Sequence, residues 1–183
     1  MRILKIIAVL SITGIFSGAV LAGAFQNFNP LIQEKRRETL KKAIFEVLPE
    51  AKKYKIVRKN GLTLYEGSDA QGDPVGIAFE AVGSGYQGKI RMMVGLDDEL
   101  RKIRGMVVME QVETPGLGGK IEEAKFQNQF GGLEIRPPKI EYVKNMRPEK
   151  PNQIEAITGA TISSRAVVET INQSVKRVLE VGK

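Results

Sequence analysis

The stretch YKIVRKNGLTLY, residues 54–65, decides the fold. Asn60-Gly61 sits between two runs of alternating apolar residues, YKIV and LTLY, and Asn-Gly flanked in this way is a strong signal for a two-residue β-hairpin. Three more apolar runs follow at short intervals: VGIAFEAV at 75–82, KIRMMVGLD at 89–97 and IRGMVVMEQ at 103–111. Together they predict an antiparallel sheet in the middle of the chain. Near the C-terminus the period changes. Val167, Ile171, Val175, Val178 and Leu179 fall three to four residues apart, the spacing of a helix with one buried face. Sheet first and helix last define an α+β domain, an antiparallel sheet with flanking helices.

Upstream, EKRRETLKKAIFEVLPEAKK (34–53) carries Leu40, Ala43, Ile44, Val47 and Leu48 at helical spacing, and Pro49 marks a stop. Before it, basic residues at Arg2 and Lys5 precede a run without charge until Glu34. From Ile6 to Phe25 this run is apolar or small, and as a helix it would cover roughly the 30 Å of a bilayer core. The expectation is an uncleaved transmembrane helix and short linker over 1–29, and a domain with a juxtamembrane helix over 30–183. The competing reading is a cleavable signal peptide, because Ala22-Gly23-Ala24 copies a small-x-small site. Arg2 and Lys5 favour a cytoplasmic N-terminus, whereas Lys35, Arg36, Arg37, Lys41 and Lys42 pull the other way. Long domains cross largely regardless of charge, so the expected topology has the N-terminus in and the domain out.

Composition removes whole classes of chemistry. The chain has 183 residues, 42% hydrophobic, with no Cys and no His. Thiol catalysis, imidazole bases, Cys/His zinc sites and His-ligated haem are therefore excluded. Any redox chemistry must be carried by a non-protein group. The formal charge is +7, but Lys and Arg are interleaved with acids, and four Tyr and seven Phe offer little for base stacking. An anionic lipid or anionic cofactor suits this balance better than nucleic acid.

Three motifs remain. Gly83-Ser-Gly85-Tyr-Gln-Gly88 matches GxGxxG, but a dinucleotide fingerprint needs a helix next and KIRMMVGLD has strand character, so the glycines read as a tight turn with Tyr86 free to face a planar ligand. In ETPGLGGK (113–120), Pro115 and Gly116 suit a type II turn, and Gly118-Gly119 exceed what a turn needs. That surplus would let backbone amides approach a ligand, with Lys120 beside a phosphate; a plain surface loop is the alternative. In ITGATISSRA (157–166), Thr161, Ser163 and Ser164 are all competent caps for the last helix, and the same helix N-terminus could hold an anion. Residues 121–130, IEEAKFQNQF, read as a short helix ended by Gly131-Gly132. The proline-rich RPPKIEYVKNMRPEKPN (136–152) reads as loop with a strand at 140–144.

SGYQGKI, ETPGLGGK and EAITGATISS, in this order behind one membrane segment, resemble the FMN-binding domain of the G subunits of Rnf electron-transport complexes, a family related to the C subunit of sodium-pumping NADH:quinone reductases. The resemblance implies FMN joined by a phosphoester to Thr161, installed by a magnesium-dependent flavin transferase. It implies that Gly85, Tyr86, Glu113, Thr114, Gly116, Leu117 and Lys120 line the flavin, together with Thr158, Gly159, Ala160 and Ser164 of the box, with Ser163 or Ser164 also serving as helix cap. It further implies an extracytoplasmic domain, the other membrane and redox subunits of such a complex as partners, and electron relay between ferredoxin and NAD coupled to sodium or proton movement. No catalytic acid, base or nucleophile and no metal ligand is implied. Two positions depart from the family pattern: Gln111 where His is common and Glu155 where Asp is common. A phosphate-ligand binding module without covalent flavin, and a non-redox scaffold subunit, are the competing functions.

Overall fold

The computed structural model describes residues 2–135 and 139–181. The first three residues of the proline-rich stretch, 136–138, lie outside the described residues.

The Asn-Gly hairpin forms as its sequence dictates. Strands β1 (Lys53–Lys59) and β2 (Leu62–Ser68) pair antiparallel, and both turn residues take positive φ, 47° at Asn60 and 77° at Gly61. That is the twist a two-residue hairpin requires. Strands β3 (Pro74–Ser84), β4 (Lys89–Leu96) and β5 (Ile103–Glu110) continue the meander, so the sheet order is β1-β2-β3-β4-β5, antiparallel throughout.

Both faces of this sheet are covered, which explains why β4 reads as a continuous apolar run rather than an alternating one. On one face Phe79, Met92 and Val94 pack against Val167, Ile171 and Val175 of the last helix, α3 (Thr161–Val181), and against Ile121, Phe126 and Phe130. On the other face Tyr65, Ala78 and Met93 lie under Ala43, Ile44, Val47 and Leu48. The first three of these belong to the last turns of helix α1 (Arg2–Val47) and Leu48 follows directly; all are apolar positions expected of the juxtamembrane helix. Glycines make this approach possible. Gly95 and Gly105 face each other across β4 and β5, and a methyl group on Gly95 would lie 2.5 Å from the Val47 carbonyl oxygen.

Helix α1 runs on through Asn29-Pro30, where the sequence suggested a short linker. Pro30 has no amide to donate to the Gln26 carbonyl one turn earlier, yet the helix continues through it to Val47. Its N-terminal part is long and apolar enough to cross a membrane, with none of its apolar window buried. Compact units divide at Met1–Thr39 and Leu40–Lys183.

The expected helix at 121–130 is broken instead. A 3-10 turn over Gly118–Glu122 is followed by extended Glu123, a single α turn α2 (Ala124–Gln127) and another 3-10 turn over Asn128–Phe130. At about 100° per residue, Ile121 and Phe126 would point roughly 140° apart on a regular helix. The break lets Ile121, Phe126 and Phe130 all enter one core. Strand β6 (Glu141–Val143) falls where a strand was expected, and its parallel partner β7 (Gln153–Glu155) was not foreseen. Asn172 of α3 exchanges two hydrogen bonds with the Ile140 backbone, 3.0 Å to its amide and 2.8 Å to its carbonyl, and so anchors β6.

Beyond the end of α1 the second face turns polar. Arg91 bridges Glu80 at 2.7 Å and Glu110 at 3.0 Å, and its pKa is raised chiefly by the hydrogen bond to Glu80. The buried Tyr65 phenol is also raised, first by burial, which penalises the phenolate, and then by the charge of Glu80. An acid whose folded pKa exceeds its unfolded value stabilises fully below the unfolded pKa and loses that contribution as pH rises. Stability should therefore fall above about pH 10, the ordinary tyrosine range, and Tyr65→Phe should flatten that fall when urea midpoints are compared on either side of it.

Candidate functional site

The site assembles where three loops meet the start of α3. Gly85–Gly88 forms the tight turn between β3 and β4, closed by the Gly85 amide donating to the Gly88 carbonyl at 2.7 Å. In the Pro-Gly loop the Leu117 amide donates to the Thr114 carbonyl at 3.1 Å and Gly116 takes φ 76°, the geometry of a type II turn. The third segment, 157–160, leads from β7 into α3 through Gly159, at φ 82°.

One carboxylate ties these segments together. Glu113, 4% exposed, accepts a hydrogen bond from the Gln87 amide at 2.9 Å on one oxygen and from the Ser163 hydroxyl on the other. A side chain at Gly85 would overlap its first oxygen, and a methyl group at Gly118 would come within 2.6 Å of its second. The surplus glycines of the two loops thus have a definite use: they make room for this buried group. Alongside it, the Gln87 side chain donates to the Thr114 hydroxyl at 2.7 Å, and the Gln111 side-chain carbonyl accepts from the Glu113 amide. Gln111 therefore serves the loop as a hydrogen-bond acceptor, a role that needs no titrating ring.

The box is held from both sides. Gln129 pairs with the Glu155 backbone, accepting from its amide at 2.7 Å and donating to its carbonyl at 3.2 Å, in the manner of an added strand residue. Buried Ser164 accepts from the Ile157 amide at 3.0 Å and donates to the Ala160 carbonyl at 3.0 Å, closing the 157–160 turn. Neither Ser163 nor Ser164 caps the first amides of α3, contrary to the expectation from sequence, because one hydroxyl is drawn to Glu113 and the other to the preceding turn. Ser164→Ala leaves the part-buried Ile157 amide without its acceptor and should cost about 1 kcal/mol in a denaturant titration.

The four hydroxyls of the box consequently differ. Ser163 and Ser164 are buried and committed, and Thr158 is exposed and bonded to Asn145 at 3.3 Å. Thr161, the first residue of α3, is half-exposed, and its hydroxyl makes no hydrogen bond among the described residues. The first-turn amides of a 21-residue helix lie beside it, a setting that favours an anion. Four large apolar side chains stand exposed on these segments and their flanks: Tyr86, Val112, Leu117 and Ile162. Leu117 reaches the box, 3.4 Å from where a Cβ of Gly159 would be. A cavity of about 240 Å³ beside Thr158 is lined by Lys120, Lys125, Phe126, Gln129 and Glu155. Of the expected flavin-lining residues, Gly85, Thr114, Gly116, Leu117, Lys120 and the box residues all come from these converging segments. Glu113 and Tyr86 come from them too, with the Glu113 side chain buried and the Tyr86 ring exposed. Asn145 and Gln129 carried no signal in the sequence, and the roles of Gln87 and of Ser163, which reads as a cap, as partners of Glu113 carried none either, because each acts across a long separation on a backbone or side-chain polar group.

An uncommitted hydroxyl at a helix N-terminus, glycine loops and an exposed apolar rim suit a phosphate-bearing planar cofactor. The FMN-binding domain family matches residues 85–176, which contain the first motif from Gly85 onward and the whole of the Pro-Gly loop and the box. Among curated proteins, the G subunit of the ion-translocating oxidoreductase complex of Methanosarcina acetivorans is 33% identical over 97% of this chain and 95% of its own. The G subunit of the sodium-translocating ferredoxin:NAD(+) oxidoreductase complex of Acetobacterium woodii is 32% identical over 86% and 79%, and its proton-translocating counterpart in Clostridium ljungdahlii 26% over 92% and 88%. The crystal structure of Shewanella oneidensis NqrC shares the fold, with a TM-score of 0.60 at 20% identity over 72% of this chain and 68% of that one. The chain belongs to the family of G subunits of Rnf-type ion-translocating oxidoreductase complexes.

Proposed function

We propose that this chain is a membrane-anchored electron carrier whose FMN is bound covalently through a phosphoester to Thr161. The observation that carries this reading is the state of the box hydroxyls: Thr161 is the half-exposed one with no hydrogen bond among the described residues, and it stands at the N-terminus of α3. Esterification needs an activated flavin nucleotide bearing a phosphoanhydride, delivered by a transferase. The Thr161 oxygen to phosphorus bond forms, the anhydride bond breaks, the nucleotide leaving group departs and the hydroxyl proton passes to a base of the transferase. The first-turn amides of α3 would hold the resulting phosphate, the cavity beside Lys120 and Thr158 offers further polar surface, and Tyr86, Leu117 and Ile162 would border the ring system.

Bound FMN supplies one- and two-electron redox chemistry that a chain without Cys or His cannot supply itself. The protein's part is to fix the group and to present it to neighbouring redox subunits. The helix at the N-terminus would anchor the chain in the cell membrane, N-terminus inside and domain outside, where an ester bond prevents loss of the carrier. The names of the relatives support a place in a ferredoxin:NAD oxidoreductase coupled to sodium or proton translocation. A denaturing gel viewed for flavin fluorescence tests the reading: the chain made with a flavin transferase is expected to fluoresce, and a dark band would refute covalent attachment. Dithionite should bleach the native protein reversibly, which a scaffold without flavin would not show.

A further inference from the structure

Among the described residues, Glu113 is the one buried Asp, Glu, Lys or Arg side chain. Removing a carboxylate from water is costly unless hydrogen bonds replace those lost. Glu113 makes no ion pair among the described residues; the Gln87 amide and the Ser163 hydroxyl provide its hydrogen bonds. Two glycine positions, Gly85 and Gly118, are given over to accommodating it. An apolar residue in that place would need neither hydrogen bond, so the carboxyl group calls for a use beyond stability.

Its two partners suggest one. Ser163 is the third residue of α3, two positions after Thr161, and Gln87 follows Tyr86 in the turn between β3 and β4. A single carboxylate therefore references the first turn of α3 and the Tyr86 turn to each other, across separations of 50 and 26 residues. We infer that Glu113 is a positioning residue for flavin attachment: it holds the Thr161 hydroxyl at a fixed place relative to the Tyr86 turn, and the Glu113–Ser163 hydrogen bond transmits that constraint. Glu113 acts through Ser163 and Gln87 and does not touch the flavin. The inference rests on Thr161 being the attachment site.

The test follows the rate of flavin attachment to the full-length, flavin-free chain in detergent, mixed with transferase, magnesium and a flavin dinucleotide and read by in-gel fluorescence. Misplacing a reacting group by about 1 Å can cost on the order of 100-fold in rate, so Glu113→Ala should slow labelling by roughly ten- to a hundredfold. Ser163→Ala should slow it as well while still reaching full labelling, and the double variant should be no slower than Glu113→Ala alone. Glu113→Gln should restore most of the rate, since its amide oxygen accepts from Gln87 and its amide nitrogen donates to the Ser163 hydroxyl. Ile44→Val, a destabilising change on the opposite face of the sheet, should leave the rate unchanged and so separates positioning from stability. Wild-type rates in folded Glu113→Ala, or in Ser163→Ala should the former not fold, would overturn the inference while leaving Thr161 in place. A parent chain that never labels would overturn both.

Discussion

Thr161→Ala should give a folded chain that carries no covalent flavin. The structure explains why such a small change should have an all-or-none effect. Ser163 and Ser164 cannot substitute, because both hydroxyls are buried and engaged, one with Glu113 and the other with Ile157 and Ala160. Thr158 precedes the Gly159 turn, lies outside α3 and is bonded to Asn145. The substitution removes a half-exposed hydroxyl without a partner among the described residues, so stability should change by no more than about 0.5 kcal/mol. Thr161→Ser keeps the nucleophile and should label. A fluorescent Thr161→Ala band on a denaturing gel would refute the assignment.

Phe130→Ala should be the most damaging core substitution near the site. Phe130 is fully buried and meets Phe126 edge to face at 5.5 Å between ring centres. Truncating a buried Phe typically costs about 3–5 kcal/mol. For a chain of this size that corresponds to a fall in Tm of roughly 10 °C. The effect should also reach the box, because the neighbouring Gln129 holds the Glu155 backbone in place. Flavin labelling of Phe130→Ala, at a temperature where it is still folded, should therefore be slower than for the parent, alongside a lowered urea midpoint.

The contrast between what the sequence disclosed and what it hid has a physical basis. The hairpin, the later strands and α3 were legible because each is written in a local period or turn pair, as at Asn60-Gly61 or along Val167, Ile171 and Val175. The apolar face of the juxtamembrane helix was legible for the same reason. The helix expected at 121–130 failed because the demand to bury Ile121, Phe126 and Phe130 together outweighed local helical preference. β7 was missed because three residues are too few to show alternation. In the site, the glycine loops and the hydroxyl-rich helix start could be read from residue types and spacing, the other lining residues came only from the family resemblance, and the division of labour among them came from neither. That Glu113 is buried, that Ser163 turns away from capping toward it, and that the Thr161 hydroxyl has no partner among the described residues are consequences of packing between distant segments.

The most direct measurement is mass spectrometry of the tryptic peptide that contains 157–165, from chain made with a flavin transferase. The expected result is an added mass equal to FMN less one water, with fragment ions that place it on Thr161. An unmodified peptide, or flavin on Thr158, Ser163 or Ser164, would contradict it.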